Sequence, residues 1–235
     1  MDHARQARRV AAATLAAAGI AAAAACGTAD GGGDRPGGGA AERLATAQLV
    51  QFGDAKVVPE RSEEGPYGEL ATVRNAEELR SATELDKPDC LDAVNRWARL
   101  PGVRDAAASL ATFARGEDTI AHLLVDAGAD VAEEAVAASP PAECATYTAT
   151  LQDGSTSTYR VRELELDRVG DASRGFAVET EMSGERVLLY SLLYRNADYL
   201  ATTTILGTGD ADEYADTLTA FSRAALDRES EILPS

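Results

Sequence analysis

The sequence predicts an α+β domain: an antiparallel sheet of about six strands with flanking helices and a C-terminal amphipathic helix. Three observations carry this. Asp153-Gly154 separates two strand-like runs, Thr146 to Leu151 and Thr156 to Leu166, and both of its residues tolerate the positive φ of a tight hairpin. Phe176, Val178, Thr180 and Met182 alternate with Ala177, Glu179 and Glu181, which gives a strand with one dry face and one wet face. Tyr214, Leu218, Phe221 and Ala225 fall on one stripe of a final helix. Strands joined by short hairpins make an antiparallel sheet, and helices clustered at either end make the class α+β.

The chain of 235 residues opens with Arg5, Arg8 and Arg9, then an apolar run from Val10 to Ala25 that ends in alanines before Cys26. That is the layout of a secretory signal. A cysteine directly after a small-residue cleavage site resembles a bacterial lipobox, which implies removal of residues 1–25 and diacylation of Cys26. A retained anchor is the weaker reading, since the run falls short of the ~20 apolar residues of a span. An ordinary signal with an incidental Cys26 is the other. Arg8-Arg9 hints at twin-arginine export, but its flanks lack the rest of that pattern, so the general secretory route is expected.

Residues 26–43 are Gly-rich and read as a flexible tether, leaving 44–235 as the domain. Leu44 to Phe52 suggests one or two helical turns, Val57-Val58 and Leu70 to Val73 brief extended pieces, and Arg61 to Tyr67 a loose turn. Asn75-x-x-Glu78, Asp130-x-x-Glu133 and Asp210-x-x-Glu213 match a capping box relaxed to Asn or Asp and mark helix starts. A further helix is expected from Asp89 to Ala98, with Cys90, Val94 and Trp97 on one face. Strands are expected over Leu110 to Arg115 and Thr119 to Val125, joined at Gly116, and over Tyr199 to Leu206. Val187 to Tyr194, apolar on both faces, reads as the central strand.

The net charge is −17, and loss of the leader, with its three Arg against Asp2, takes it to −19. Such a surface repels nucleic acid and anionic headgroups, so neither is an expected partner. Two acyl chains on one cysteine would therefore have to supply the anchoring. Apart from Cys26 the cysteines are Cys90 and Cys144, and an even pair in an exported chain points to one disulfide, the alternative being two buried free thiols.

The order of helix, two strands, helix, four strands and helix resembles the extracellular sensor domain of actinobacterial receptor Ser/Thr kinases of the PknH type, and the small lipoproteins that carry it. The resemblance runs from about Leu44 to Glu231 and rests on Cys90 opening a helix, Phe113 in a strand and Ala132-x-x-Ala135 before Cys144. Tyr159-x-Val161, the Arg195-Asn196 turn and the last helix also fit. It implies an antiparallel sheet with helices around a cleft that binds an extracellular ligand. The family's domain is usually braced by two disulfides, whereas this chain offers one pair.

Catalytic signals are weak. Once His3 leaves with the leader, His122 is the remaining histidine, and its alternation with Ile120 and Leu124 places it on an apolar strand face. No Gly-x-Ser-x-Gly elbow supplies a nucleophile. Asp210-x-Asp212-Glu213 lacks the glycine and spacing of a calcium loop and reads as a helix cap. Gly207-Thr208-Gly209 is too short to cradle phosphate. Tyr190 and Tyr194 share a face of the central strand, with Tyr199 across the next turn, so these three and His122 are the candidate ligand residues. Trp97 reads as core.

The function expected is a non-catalytic ligand-binding or sensor domain on the extracytoplasmic face of the cell membrane. It would be held there by the diacylglyceryl-cysteine and would take a small-molecule, lipid or envelope-protein ligand, with no cofactor and no metal. The alternatives are a lipid or glycolipid carrier, a cell-envelope hydrolase using His122, and an accessory subunit of an envelope complex. Inhibition of lipoprotein signal peptidase should leave a precursor still carrying residues 1–25. Normal processing under that block would rule out lipidation at Cys26.

Overall fold

The computed structural model describes residues 38–90, 92–152, 154–182 and 184–233. The leader, Cys26 and the first part of the tether lie outside these residues, as does Asp153 of the expected hairpin turn. Helix α1 (Gly38–Ala47) comes first, so Gly38 to Arg43, expected as tether, are helical, and Ala41 and Leu44 are buried. Strands β1 (Gln51–Phe52), β2 (Ala55–Val57) and β3 (Glu63–Pro66) follow, then helix α2 (Ala71–Ser81) and β4 (Glu84–Leu85). Next come β5 (Ala107–Arg115), β6 (Asp118–Asp126), α3 (Ala129–Ala137), β7 (Thr146–Thr150) and β8 (Thr156–Leu164). The chain closes with β9 (Ala172–Met182), β10 (Glu185–Asn196), β11 (Tyr199–Gly207) and α4 (Ala211–Ile232).

The eleven strands among the described residues form one antiparallel sheet, ordered β1-β2-β5-β6-β11-β10-β9-β8-β7-β4, with β3 on the same edge of β5 as β2. The expectation of about six strands is thus corrected upward. The hairpin strands from β5 to β11 match the reading, while the additions are β1 to β4, each of two to four residues. Pieces that short show no period in the sequence, because their pairing to a longer strand and not their own pattern makes them strands.

Strand β10 is central, between β9 and β11. Leu188, Tyr190, Leu192 and Tyr194 face one side and Leu193 the other, all buried. Strand β9 departs from its expected wet face, since Ala177 pairs with Tyr190 and is as buried as Phe176. Of the three residues expected on that face, Glu179 and Glu181, toward the end of β9, remain at least partly exposed. Because both faces of the middle strands are apolar, helices must cover both, and three layers result. On one face α1 and α4 close a core around Phe113, Ile120, Leu192 and Ile205. There Phe221 meets Phe113 edge-on with centroids 5.1 Å apart. On the other face α3 and the Arg96–Arg99 turn pack with Val103, Val125, Leu193 and Leu200.

The helix starts divide. Asp210 caps α4 as expected, its carboxylate accepting from the backbone N–H of Asp212 (2.9 Å) and Glu213 (3.1 Å). Asn75 lies inside α2 instead of capping it. The cap of α2 comes from Glu63 on β3, whose carboxylate accepts from the N–H of Ala71 and of Thr72. A cap from outside the helix's own sequence leaves no local signal, and of Leu70 to Val73, expected as extended, Ala71 to Val73 are helical while Leu70 stays non-helical just before them. Helix α3 starts after Gly128 with no side-chain cap, and Asp130 sits in its first turn, where its charge favours the N-terminus.

The expected helix from Asp89 to Ala98 is replaced by two single 3-10 turns, Pro88–Cys90 and Arg96–Arg99. Tertiary partners hold this segment. Cys90 is bonded to Cys144, and Asp92 is held by Arg80 and Arg99. Both cysteines are fully buried, with Ala93 and Val161 around them. The turn from β10 to β11 carries Ala197 at φ 51, a left-handed conformation unusual for a residue with a Cβ, and its N–H donates to Asp171 at 2.9 Å.

The disulfide joins residues 54 apart in sequence, for which the chain-entropy relation gives roughly 4 kcal/mol of stabilisation. Cys90→Ala with Cys144→Ala should lower the urea-unfolding free energy by about that amount. Two thiols reacting freely in the unreduced native domain would refute the bond.

Candidate functional site

Strand β6 divides the chemistry of the domain between its two faces. His122 points to the α1/α4 side, while Ala121 and Leu123 point to the opposite side, where the sheet is only partly covered. The four residues expected to bind ligand all fall on the covered side. Tyr190, Tyr194 and His122 are almost completely inaccessible, and Tyr199 is 7% exposed. Tyr190 receives a hydrogen bond from Arg162, whose guanidinium also lies 5.6 Å from the centre of its ring. None of the four lines the partly covered side.

His122 and Tyr194 instead belong to a chain of polar groups through the core. The His122 Nδ1 lies 2.7 Å from Gln48 Oε1, and its Nε2 lies 3.1 Å from the Tyr194 hydroxyl. That hydroxyl is 2.6 Å from Glu229 Oε1 on α4. The Gln48 amide donates to the Ser109 carbonyl at 2.9 Å, so its Oε1 must accept, and His122 carries its proton on Nδ1. With Glu229 ionised, the Tyr194 hydroxyl donates to it, and His122 Nε2 faces an oxygen without a proton between them. With the proton on Glu229 Oε1 the direction reverses: Glu229 donates to Tyr194 and Tyr194 to His122. For a neutral imidazole, this direction gives each atom on the path from Gln48 Oε1 to Glu229 Oε1 a complementary partner, while Glu229 Oε2 stays buried without one.

Burial pushes Glu229 the same way, up to about 7 against an ordinary 4.5, the Tyr194 hydrogen bond opposing only in part. Burial also pulls His122 down to about 3, so the imidazole is neutral and its 3.4 Å contact with Glu229 is no ion pair at neutral pH. His122 thus has neither the basicity nor the access of a general base.

On the other face, α2 stands off the sheet and buries none of its residues. Between them lies a cleft of about 550 Å³. Its floor is Leu110, Ala121, Leu123, Thr202 and Thr204, whose threonine hydroxyls share Ser191 Oγ at 3.1 and 3.2 Å. One wall is Leu70, Val73 and Ala76. The other is Trp97, with Tyr67 tilted against it at 5.4 Å between centroids. Burial raises the Tyr67 phenol to about 12, so at neutral pH it keeps its proton and can donate it in a hydrogen bond. The charged rim is Arg80 and Arg99 around Asp92, and Arg104 paired with Glu77. Arg104 holds the Glu77 carboxyl below its usual range.

An apolar floor with a few convergent polar groups is the composition of a ligand site. The sequence reading missed it because Trp97 read as core, which it also is, at 4% exposed. The usable signal was Trp97 set among three arginines, Arg96, Arg99 and Arg104, in a chain where acidic residues outnumber basic ones.

No protein-family model matches the chain, and no curated protein matches it by sequence. Among solved structures, the extracellular domain of PknH from Mycobacterium tuberculosis is similar over 80% of this chain and 97% of that one, with a TM-score of 0.53 and 12% identity. An uncharacterized protein of Mycobacterium smegmatis, an Rv0999 ortholog, is similar over 62% of this chain and 76% of that one, with a TM-score of 0.41 and 14% identity. At such identity the first likeness is one of fold: this domain has a PknH-like sensor-domain fold.

The buried chain sets a pH dependence. Glu229 keeps its proton up to about pH 7 in the fold and to 4.5 when unfolded, so this group costs stability as pH rises between those values. His122 stays neutral down to about 3 in the fold but protonates near 6.5 when unfolded, so it adds stability as pH rises from 3 to 6.5. The two cancel between 4.5 and 6.5. Glu229→Gln keeps a donor to Tyr194 and removes the first effect. Its stability relative to the parent should therefore rise by about 1.4 kcal/mol per pH unit across that interval, as read by urea unfolding. Parallel pH profiles would contradict this arrangement of protons.

Proposed function

We propose that this chain is an extracytoplasmic ligand-binding domain, displayed at the membrane by a diacylglyceryl group on Cys26, which holds its ligand in the cleft between α2 and the sheet without turning it over. The observation that carries this is the cleft itself. The middle of an apolar sheet is left open there, under a helix that buries nothing, beside aromatic and charged groups. The fold it shares with the PknH extracellular domain supports a place outside the cytoplasm. Among the described residues no helix is long and apolar enough to cross a membrane, which is compatible with attachment through a modified cysteine. A hydrolase built on His122 is disfavoured by its sealed position under α4.

The apolar floor also favours a second reading, a lipid or glycolipid carrier, in which the same cleft holds cargo instead of a signal. Both readings make the floor essential. Ala121→Trp places an indole on it from a strand whose opposite face forms the core, so the fold should survive. Native mass spectrometry of the domain released gently from its own membranes should find molecules bound to the parent and absent from Ala121→Trp. The same molecules on both forms, or none on either, would overturn the cleft as the site. Co-purified lipid would favour the carrier over the sensor.

A further inference from the structure

We infer that the ligand of this cleft is an amphiphile with a single apolar chain and one anionic group, the chain lying on Leu110, Leu123 and Trp97 and the anion against Arg99 and Arg80. This rests on the cleft being the binding site and names the class of molecule it takes.

Charge points to the anion. The ionisable groups lining the cleft are Arg80, Arg99 and Arg104 against Glu77 and Asp92, a local surplus of one positive charge on a chain of net −17. Arg104 is matched one to one by Glu77. The surplus therefore sits where a single carboxylate, Asp92, serves two guanidiniums. Asp92 is 5% exposed, with Arg80 at 2.7 Å and Arg99 in contact on its other oxygen. That oxygen receives no aligned hydrogen bond, so Arg99 is held by charge and not locked by geometry. Two guanidiniums bring ten N–H donors, and one carboxylate accepts about four of them. The Arg99 side chain is 65% exposed and keeps donors free for a second anion.

The rest of the cleft points to the chain. A bare anion approaching this molecule meets the repulsion of its net charge, and one surplus arginine does not offset that. Burial of an apolar segment on the floor supplies the missing attraction, at about 25 cal/mol per Å². The two requirements fall at opposite ends. Asp92, Arg99 and Leu100 also line an adjoining depression with Asp89, Arg96, Glu134 and Glu143, so the charged end is the one that continues beyond the cleft. The floor of β6 and β11 forms the inner end. A volume of about 550 Å³ suits one small amphiphile.

Trp97, the sole tryptophan of the chain, reports on the cleft directly. The test uses the mature chain with Cys26→Ser, so that no acyl group of its own competes. Dodecanoate, dodecyl phosphate, dodecanol, dodecyltrimethylammonium and inorganic phosphate are titrated below their aggregation thresholds while Trp97 emission is followed. Dodecanoate or dodecyl phosphate should give a saturable change, at least tenfold tighter than dodecanol, with no response to inorganic phosphate. A preference between the two identifies the head as carboxylate or phosphate. Arg99→Gln, at an exposed side chain, should weaken the anionic ligand by about tenfold and leave dodecanol unchanged. Dodecanol or the ammonium binding equally well, or Arg99→Gln without effect, would overturn the anionic class while leaving the cleft as the site. No response to any of the chains, together with native ligands that Ala121→Trp displaces, would overturn the amphiphile and keep the site. No response and no displaced ligand would reject both.

Discussion

Strand β10 has neighbours on both edges and apolar side chains on both faces, and the rest of the domain is arranged to keep water from it. Its edges are satisfied by β9 and β11. Its faces need layers, and these are unequal. The 22 residues of α4, assisted by α1, close one face from Tyr214 to Leu233. The other face receives the nine residues of α3, two 3-10 turns and the detached α2. A sheet apolar on both sides but sealed on only one leaves apolar floor exposed to solvent, and the cleft is that remainder. A site of this kind results from an imbalance between layers more than from any motif.

The sealed face has its own constraint. Gln48, just after α1, and His122, Tyr194 and Glu229, from β6, β10 and α4, would each be costly to bury alone. Ser222 on α4 similarly donates to Thr203 on β11 at 2.8 Å. Such pairs contribute little net stability compared with well-packed aliphatic groups. Their effect is on register: sliding α4 by one turn would strand a carboxyl, a hydroxyl and an imidazole together. Gly207 tightens the same seam, since a Cβ there would meet the Tyr214 hydroxyl at 2.1 Å and an Asp118 oxygen at 2.0 Å.

Much of this was legible in the sequence, and the limits have physical causes. The hairpins β5–β6, β9–β10 and β10–β11, the Asp210 cap and the Cys90–Cys144 pair are local patterns or simple arithmetic, and the structure has them. The α2 start and the Cys90 to Trp97 segment were misread because Glu63, Cys144, Arg80 and Arg99 determine them from elsewhere in the chain. Tyr190 and Tyr194 were read as sharing one face of the central strand, and they do, since a period of two is all that requires. Which face of a two-sided strand meets solvent depends on the lengths and packing of helices distant in sequence, and periodicity carries none of that. Ala121 and Leu123, which flank His122 and point the other way, form the floor together with Thr202 and Thr204.

Helices α1 and α4 lie side by side behind the sheet, the Arg228 guanidinium of one donating to the Thr46 carbonyl of the other. The fold is therefore entered and left on the same side, and the cleft opens on the opposite one. For anyone fixing this domain to a chip, a bead or a fluorescent fusion partner, either end of the fold serves as a handle that leaves the mouth facing outward.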